Sequence, residues 1–147
     1  MSLFSAISIS ASGMDAQRVR AELITENLAN ADTTRTPDGG PYRRKDAVFS
    51  TAPLEATFGS FAEALSSAGL GTPGVRVSEV TVDETEPEKR YLPGHPDADP
   101  DGYVAFPHIN PAEEMVDLIS ASRAFQANVA AIGAVKDMIA RSIDLMR

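Results

Sequence analysis

The stretch from Asn110 to Arg147 constrains this chain most, because its only proline stands at its start, at position 111. Asn110 is a good N-cap, Pro111 suits the first helical position, and Glu113 sits where a capping-box acid would. Steps of three and four residues from Met115 reach Met115, Leu118, Ser122, Phe125, Val129, Ile132, Lys136, Ile139, Ile143 and Met146. Eight of these ten are apolar, a coiled-coil-like seam over five heptads. At 1.5 Å rise per residue the helix would be roughly 55 Å long, well beyond the usual globular helix. A helix of that length needs a partner of similar length.

The other end of the chain offers one. The same spacing gives Leu3, Ile7, Ser10, Met14, Gln17, Ala21, Ile24, Leu28 and Ala31, seven of nine being apolar. Its interior is poor in helix propensity. Ser8, Ser10, Ser12 and Gly13 crowd together, and Gly13 alone costs about 1 kcal/mol relative to Ala. Small residues also allow two helices to approach closely, so this helix depends on packing rather than on propensity. An antiparallel hairpin closed within one chain fits the pattern. So does a pair of helices completed only by neighbouring subunits.

The 147 residues suit one domain, or a helical layer with one small module. A net charge of −8 argues against nucleic acid and anionic membrane as main partners. Most of that charge lies in the middle, where residues 35–110 hold twelve acids against seven bases. With no cysteine, disulfides, thiol catalysis and thiolate metal sites are excluded together. The first basic residue is Arg18 and serines interrupt the early apolar residues, so no usual secretory signal is expected.

Between the helices the reading is a small, loop-rich β module. The first helix should end near Asn30, and residues 35–45 form a turn-dense connector with Pro37-Asp38-Gly39 as its clearest turn. Strands are expected at Lys45–Phe49, Lys89–Leu92 and Gly102–Phe106. Val75, Val77, Val80 and Val82 mark another, whose alternation slips at Ser78-Glu79 as a β-bulge would allow. Residues 57–68 read as a short helix or an irregular loop. The expected fold class is α+β: terminal helices at 1–33 and 107–147 form a coiled-coil-like layer around an inserted β-rich module at 34–106.

No catalytic or ligand motif survives its context. Gly69 to Gly74 satisfies G-x-G-x-x-G, but a strand follows it and Pro73 breaks the turn, whereas a dinucleotide site needs a helix N-terminus there. Asp97 to Gly102 copies the opening of an EF-hand loop, but its twelfth position is His108 rather than Glu, so an acidic turn is expected. His95 and His108 have no metal-ligand spacing and read as solvated loop residues. Glu86 and Glu88 lie in a solvated turn, and no G-x-S-x-G elbow exists. Arg43-Arg44-Lys45, the one basic cluster, is expected to make surface salt bridges. Neither catalysis, cofactor nor metal is expected, and neither nucleic acid nor a small-molecule substrate.

The two ends together resemble a known family. Residues 9–17, Ile-Ser-Ala-Ser-Gly-Met-Asp-Ala-Gln, followed by Asn27-Leu28-Ala29-Asn30, look like the N-terminal signature of the bacterial flagellar rod and hook proteins. That signature runs S-G-[ML]-x-A, then N-x-A-N-x-x-T, then a G-Y-x-R-type turn. Here the turn is extended, from Thr33 to Lys45, a departure associated with the proximal-rod branch. Gly94 to Val104 and Glu113 to Asn128 carry that branch's other hallmarks, and the motifs together span about half the chain.

The resemblance implies a non-enzymatic structural subunit of the proximal rod in the flagellar basal body, a drive shaft around the export channel. Its terminal helices would pack coaxially into a tubular inner layer, with the β module outside. The implied partners are further copies, other rod subunits, ring, export-gate and adaptor proteins at the rod base, and the flagellar type III export apparatus. That apparatus would deliver the subunit to the periplasmic space without a cleaved signal, and both ends would be disordered before assembly. The expected assembly interface comprises Leu3, Ile7, Met14, Ile24, Asn27, Leu28, Asn30, Met115, Leu118, Phe125, Val129, Ile132, Ile139 and Ile143. The competing reading is a self-contained helical-hairpin adaptor acting as a soluble monomer or dimer.

Overall fold

A computed structural model describes residues 3–37, 39–53 and 73–145. Helix α1 spans Leu3–Ala29, strands β1 and β2 span Lys45–Pro53 and Pro73–Val82, and β3 and β4 span Glu88–Tyr91 and Tyr103–Phe106. Helix α2 spans Pro111–Asp144, and the chain is α+β as expected. Asn110 is the N-cap of α2, its side-chain oxygen accepting the Ala112 N–H at 3.1 Å, and Pro111 fills the first turn. At the other end of α1, Asn30 donates its side-chain amide to the Glu26 carbonyl and accepts from the Thr33 hydroxyl, which closes the last turn. The expected helix or loop at residues 57–68 lies outside the described residues, as do Gly69 to Thr72 of the glycine-rich stretch and Met146.

The two helices form an antiparallel hairpin. Asn27 meets Glu114, Arg20 meets Asp117 a turn further along α2, and Gly13 meets Asn128. A Cβ on Gly13 would stand 3.1 Å from the Asn128 side-chain amide, a tight contact that the missing side chain avoids. Ala16, three residues further along α1, and Ala121, seven residues earlier on α2, are both buried. The close approach expected from the small residues of α1 is therefore present. It faces a different row of α2 from the expected one, however. The buried positions of α2 are Glu114, Ala121 and Val135, which with half-buried Asn128 form one row of sevens. Of the row beginning at Met115, the positions Met115, Ser122, Val129, Lys136 and Ile143 are displaced by one residue, about 100° around the helix, and are exposed, whereas Leu118, Ile132 and Ile139 border the buried row and are half-buried.

Strands β1 and β2 pair antiparallel, and β3 and β4 form a second two-stranded sheet. The slip in the valine pattern is a bulge: Val48 opposes Glu79, Phe49 opposes Val77, and Ser78 is the extra residue. Its hydroxyl donates to the Val48 carbonyl at 3.0 Å. The bulge restores the phase, so Val75, Val77, Val80 and Val82 share one face with Phe49 and Ala47.

The β1–β2 ribbon is pinned to α1 at two places. Asn27 binds Lys45 of β1, and Ser12 Oγ accepts the Val75 N–H of β2 at 3.1 Å while donating to the Ile9 carbonyl. The helical pins are fifteen residues apart, about 22 Å, and the strand positions they hold, Lys45 and the Val75–Thr51 pair, are about 20 Å apart. The lengths match, so the ribbon lies along the helix without a break in either. Among the described residues no helix is long and apolar enough to cross a membrane.

Candidate functional site: a polar junction and an uncovered flank

The most closely organised cluster in the molecule lies where the end of α1, the start of β1 and the start of α2 converge. Asn27 is completely buried. Its amide nitrogen donates to the Lys45 carbonyl at 2.8 Å and to Glu114 Oε2 at 3.3 Å. Its oxygen accepts the Lys45 N–H at 2.9 Å and the Tyr42 hydroxyl at 3.1 Å. A primary amide has two donors and about two acceptor positions, so every one is used. Toward Lys45 the side chain behaves as a strand would, pairing with both the N–H and the C=O of one edge residue.

Glu114 is 2% exposed, the largest of the fully buried side chains. A buried carboxylate is expensive unless paired and hydrogen-bonded. Arg44 meets that need, its Nε donating to Glu114 Oε1 at 2.6 Å, while Nη1 reaches Asp46 at 3.3 Å. Burial disfavours the Arg44 cation, but the hydrogen bonds and charges of Glu114 and Asp46 outweigh it and hold its pKa above the usual arginine value. Asp117, one turn on, takes Arg20 Nη2 of α1 at 3.1 Å and lies 3.9 Å from Arg44. Lys45 Nζ pairs with Glu26 and sits 5.6 Å from the centre of the Tyr42 ring. Burial first, then the negative charge of Glu26, pushes the Tyr42 hydroxyl up to about 12.

The expectation for the basic cluster therefore holds in kind and shifts in place. Arg44 and Lys45 make ion pairs and Arg43 donates to the Asp83 carbonyl, but the main partner of Arg44 is inside the protein. Reading the residues as a pattern missed Tyr42, Arg44, Glu114, Arg20 and Asp117 as a connected set. The available signal was an acid on the same row of sevens as Ala121 and Val135, which face α1. Both Glu113 and Glu114 stand in the first turn of α2, and the buried one is Glu114.

A cleft of about 490 Å³ opens beside this junction, lined by Arg44, Asp83, Glu88, Arg90, His108, Glu113 and Glu114. Two of its four carboxylates are paired with arginines: Arg44 with Glu114, and Arg90 with Glu88 at 3.1 Å, which holds the Glu88 carboxyl below its usual range. In the EF-hand-like turn, Asp97 accepts from Thr34 Oγ1 at 2.9 Å, and Asp99 Oδ1 accepts the Asp101 and Tyr103 N–H groups. These carboxylates tie the turn together and dock it on the connector after α1. His108 is exposed, but His95 is half-buried, its Nδ1 accepting the Asp97 N–H at 3.1 Å. The described residues contain no group of three acids or histidines placed to hold a metal.

The expected interface residues divide by position. Ile24 and Asn27 are buried inside the hairpin, so in this fold they are covered by the chain's own elements and offer no surface to a neighbour. Asn30 caps α1 and is half-buried, as are Ile7, Met14, Leu28, Leu118, Ile132 and Ile139. Met115, Phe125, Val129 and Ile143 are exposed, and Val116, Ile119 and Met138 are exposed with them. The side chain of Leu3 lies outside the described residues. Lys136 is exposed on the row of Met115 and Val129.

Two stretches of the chain match family models, residues 7–35 the one described as flagella basal body rod protein and residues 101–145 the one described as flagellar basal body rod FlgEFG protein C-terminal. These include most of α1 and all of α2, and they define the class as that of the flagellar rod proteins. Similarity to named relatives runs the full length. The chain is 41% identical to the flagellar basal-body rod protein FlgC of Borreliella burgdorferi, over all of this chain and 99% of that protein. It is 39% identical to that of Bacillus subtilis over 99% of each, and 38% identical to that of Salmonella typhimurium over 99% and 98%. The chain belongs to the FlgC family of flagellar basal-body rod proteins. It is a structural rod subunit of the basal body and not an enzyme, and the adaptor reading is not favoured.

Proposed function

We propose that this subunit polymerises through its terminal helices into the proximal rod, around the export channel, with residues 34–106 forming a module outside a helical layer of 1–33 and 107–147. The observation that carries this reading is the apolar row of α2 that α1 leaves uncovered. Met115, Phe125, Val129 and Ile143 are exposed along a helix about 50 Å long, and Leu118, Ile132 and Ile139 border them. A neighbouring helix laid on this flank buries apolar area at roughly 25 cal/mol per Å². Ile7, Met14 and Leu28 of α1 are half-buried and can widen the same contact.

The partners in this reading are other copies, other rod subunits, the ring, export-gate and adaptor proteins at the rod base, and the flagellar type III export apparatus. That apparatus carries the subunit to the periplasmic space without a cleaved signal. The test is Phe125→Asp or Ile132→Asp. Either is expected to abolish rod assembly, read by sedimentation and by complementation of motility, while circular dichroism and strand amide signals stay unchanged. Rods that still form with either variant would place the assembly contact elsewhere.

A further inference from the structure

Strand β3 leaves its outer edge bare. In an antiparallel pair, residues bonded to the partner strand alternate with residues whose main-chain groups point away from it. The Leu92 N–H bonds the Gly102 carbonyl at 2.8 Å, and the next pair along is Tyr91 with Tyr103. Tyr103 turns its main chain away from β3 to Asp99, whose Oδ1 accepts the Tyr103 N–H and whose own N–H reaches the Tyr103 carbonyl, both at 2.8 Å. Tyr91 therefore faces outward on its side of the pair, and so does Lys89 two positions earlier. Among the described residues nothing bonds the N–H or C=O of either, and all of β3 is exposed. The same alternation puts Pro87 and Pro93 at the next outward positions, where neither can donate. The open edge is thus confined to Lys89 and Tyr91.

These two side chains stand on one face of the strand. Tyr91 is 63% exposed, meets Tyr103 edge-on with ring centres 5.4 Å apart, and borders Gly102, where a Cβ would come within 2.9 Å of the ring. On the opposite face Glu88 and Arg90 pair with each other, and Arg90 lies over the Phe106 ring at 4.8 Å. Lys89 has no acid within ion-pair distance among the described residues.

We propose that the edge of β3 is a strand-addition site for a short extended segment of a neighbouring rod subunit, one that carries a carboxylate opposite Lys89 and an apolar side chain opposite Tyr91. Main-chain bonds to Lys89 and Tyr91 hold such a segment, and the two side chains select it. The segment belongs to a different subunit rather than to a second copy of this chain. Two copies joined antiparallel through both open residues would set Arg90 directly against Arg90, and like charges so placed disfavour pairing. The flanking prolines limit the added segment to about three residues, too short for open-ended stacking. The inference rests on membership of the rod family and not on the helical flank, so the outcome for Phe125→Asp has no bearing on it.

The experiment compares Lys89→Pro with Lys89→Met in cells that lack the native chain. Proline deletes the outward N–H and spares the bonds between β3 and β4, whereas methionine keeps the N–H and the apolar stem and removes the charge. Exchange of the Leu92 amide in purified Lys89→Pro, equal to that of the native chain, shows that the β3–β4 pair is intact. Swimming-colony diameter is expected to fall at least about fivefold with Lys89→Pro and about twofold with Lys89→Met. Native swimming with Lys89→Pro overturns the proposal. So does an equal loss in both variants, since the side chain and not the main chain would then carry the contact. If Lys89→Pro does not fold, amide exchange in native rods recovered from cells replaces it. There the Lys89 and Tyr91 amides are expected to exchange at least about tenfold slower than in the free chain, with Arg90 changing less than about twofold. Absence of that alternation overturns the proposal equally.

Discussion

The base of the hairpin and its far half solve the same packing problem in opposite ways. At the base, two helices and a strand meet over polar side chains, Asn27 and Glu114, whose hydrogen bonds are supplied inside the chain. In the far half the helices meet over small residues, and the large apolar side chains of α2 point aside. Polar groups in fixed geometry accept one arrangement, because each alternative leaves a buried donor or acceptor unpaired. Apolar surface accepts many partners and only needs to be covered. In the proposed reading, the base specifies how this chain folds and the far half what it joins.

The largest expected effect lies at the base. Asn27→Ala leaves the Lys45 N–H and C=O, the Tyr42 hydroxyl and one Glu114 oxygen without their partner. A loss of about 3–5 kcal/mol is expected in urea unfolding, an estimate from unsatisfied buried polar groups. A loss below about 1 kcal/mol would mean water replaces the amide and the base is less demanding than its geometry implies.

Gly13→Leu addresses the far half by overfilling it. The side chain would be driven into Asn128, and about 1–3 kcal/mol should be lost, measured by thermal unfolding. Gly13→Ala should be nearly neutral, since gained helix propensity offsets the tight contact with a side chain that can move.

Tyr42 offers a reading by pH. Its hydroxyl is raised to about 12 from an ordinary 10, so the folded state favours the protonated form. That contribution is complete below pH 10 and is lost as pH rises from 10 through 12. Alkaline titration of stability should lose about 2 kcal/mol over this window beyond what exposed tyrosines lose. Tyr42→Phe should cost about 1 kcal/mol at neutral pH and remove the extra alkaline loss. The smallest effect is expected from Val129→Ser on the flank, within about 0.5 kcal/mol for the monomer, because its side chain is already exposed.

Both helices, the four strands and the bulge could be read from the sequence, because each rests on local chemistry. Asn110-Pro111 opens α2, Asn30 closes α1, and four valines with a phase slip require an extra residue on one strand. Which face of α2 turns inward could not be read that way. A count of apolar residues favours the row of Met115, Leu118, Phe125 and Val129, since it weighs bulk. Packing chose the row of Glu114, Ala121, Asn128 and Val135, which meets the small Gly13 and Ala16 of α1 in its middle and the Asn27 junction at its start. The junction escaped for a related reason. Asn27 and Tyr42 stand in the motifs that carry the family resemblance, but a motif does not say that one amide will take the place of a strand.

That substitution has a consequence for solubility. A two-stranded ribbon has two free edges, and an open edge is an invitation to pair with any other strand. Here side chains already occupy several of those positions. Asn27 takes both groups of Lys45, Ser12 takes the Val75 N–H, and the Asp46 carboxylate takes the N–H of Ala47 at 2.8 Å. A second molecule arriving strand-first would have to displace them. Such blocked edges guard the ribbon against strand-to-strand stacking between molecules.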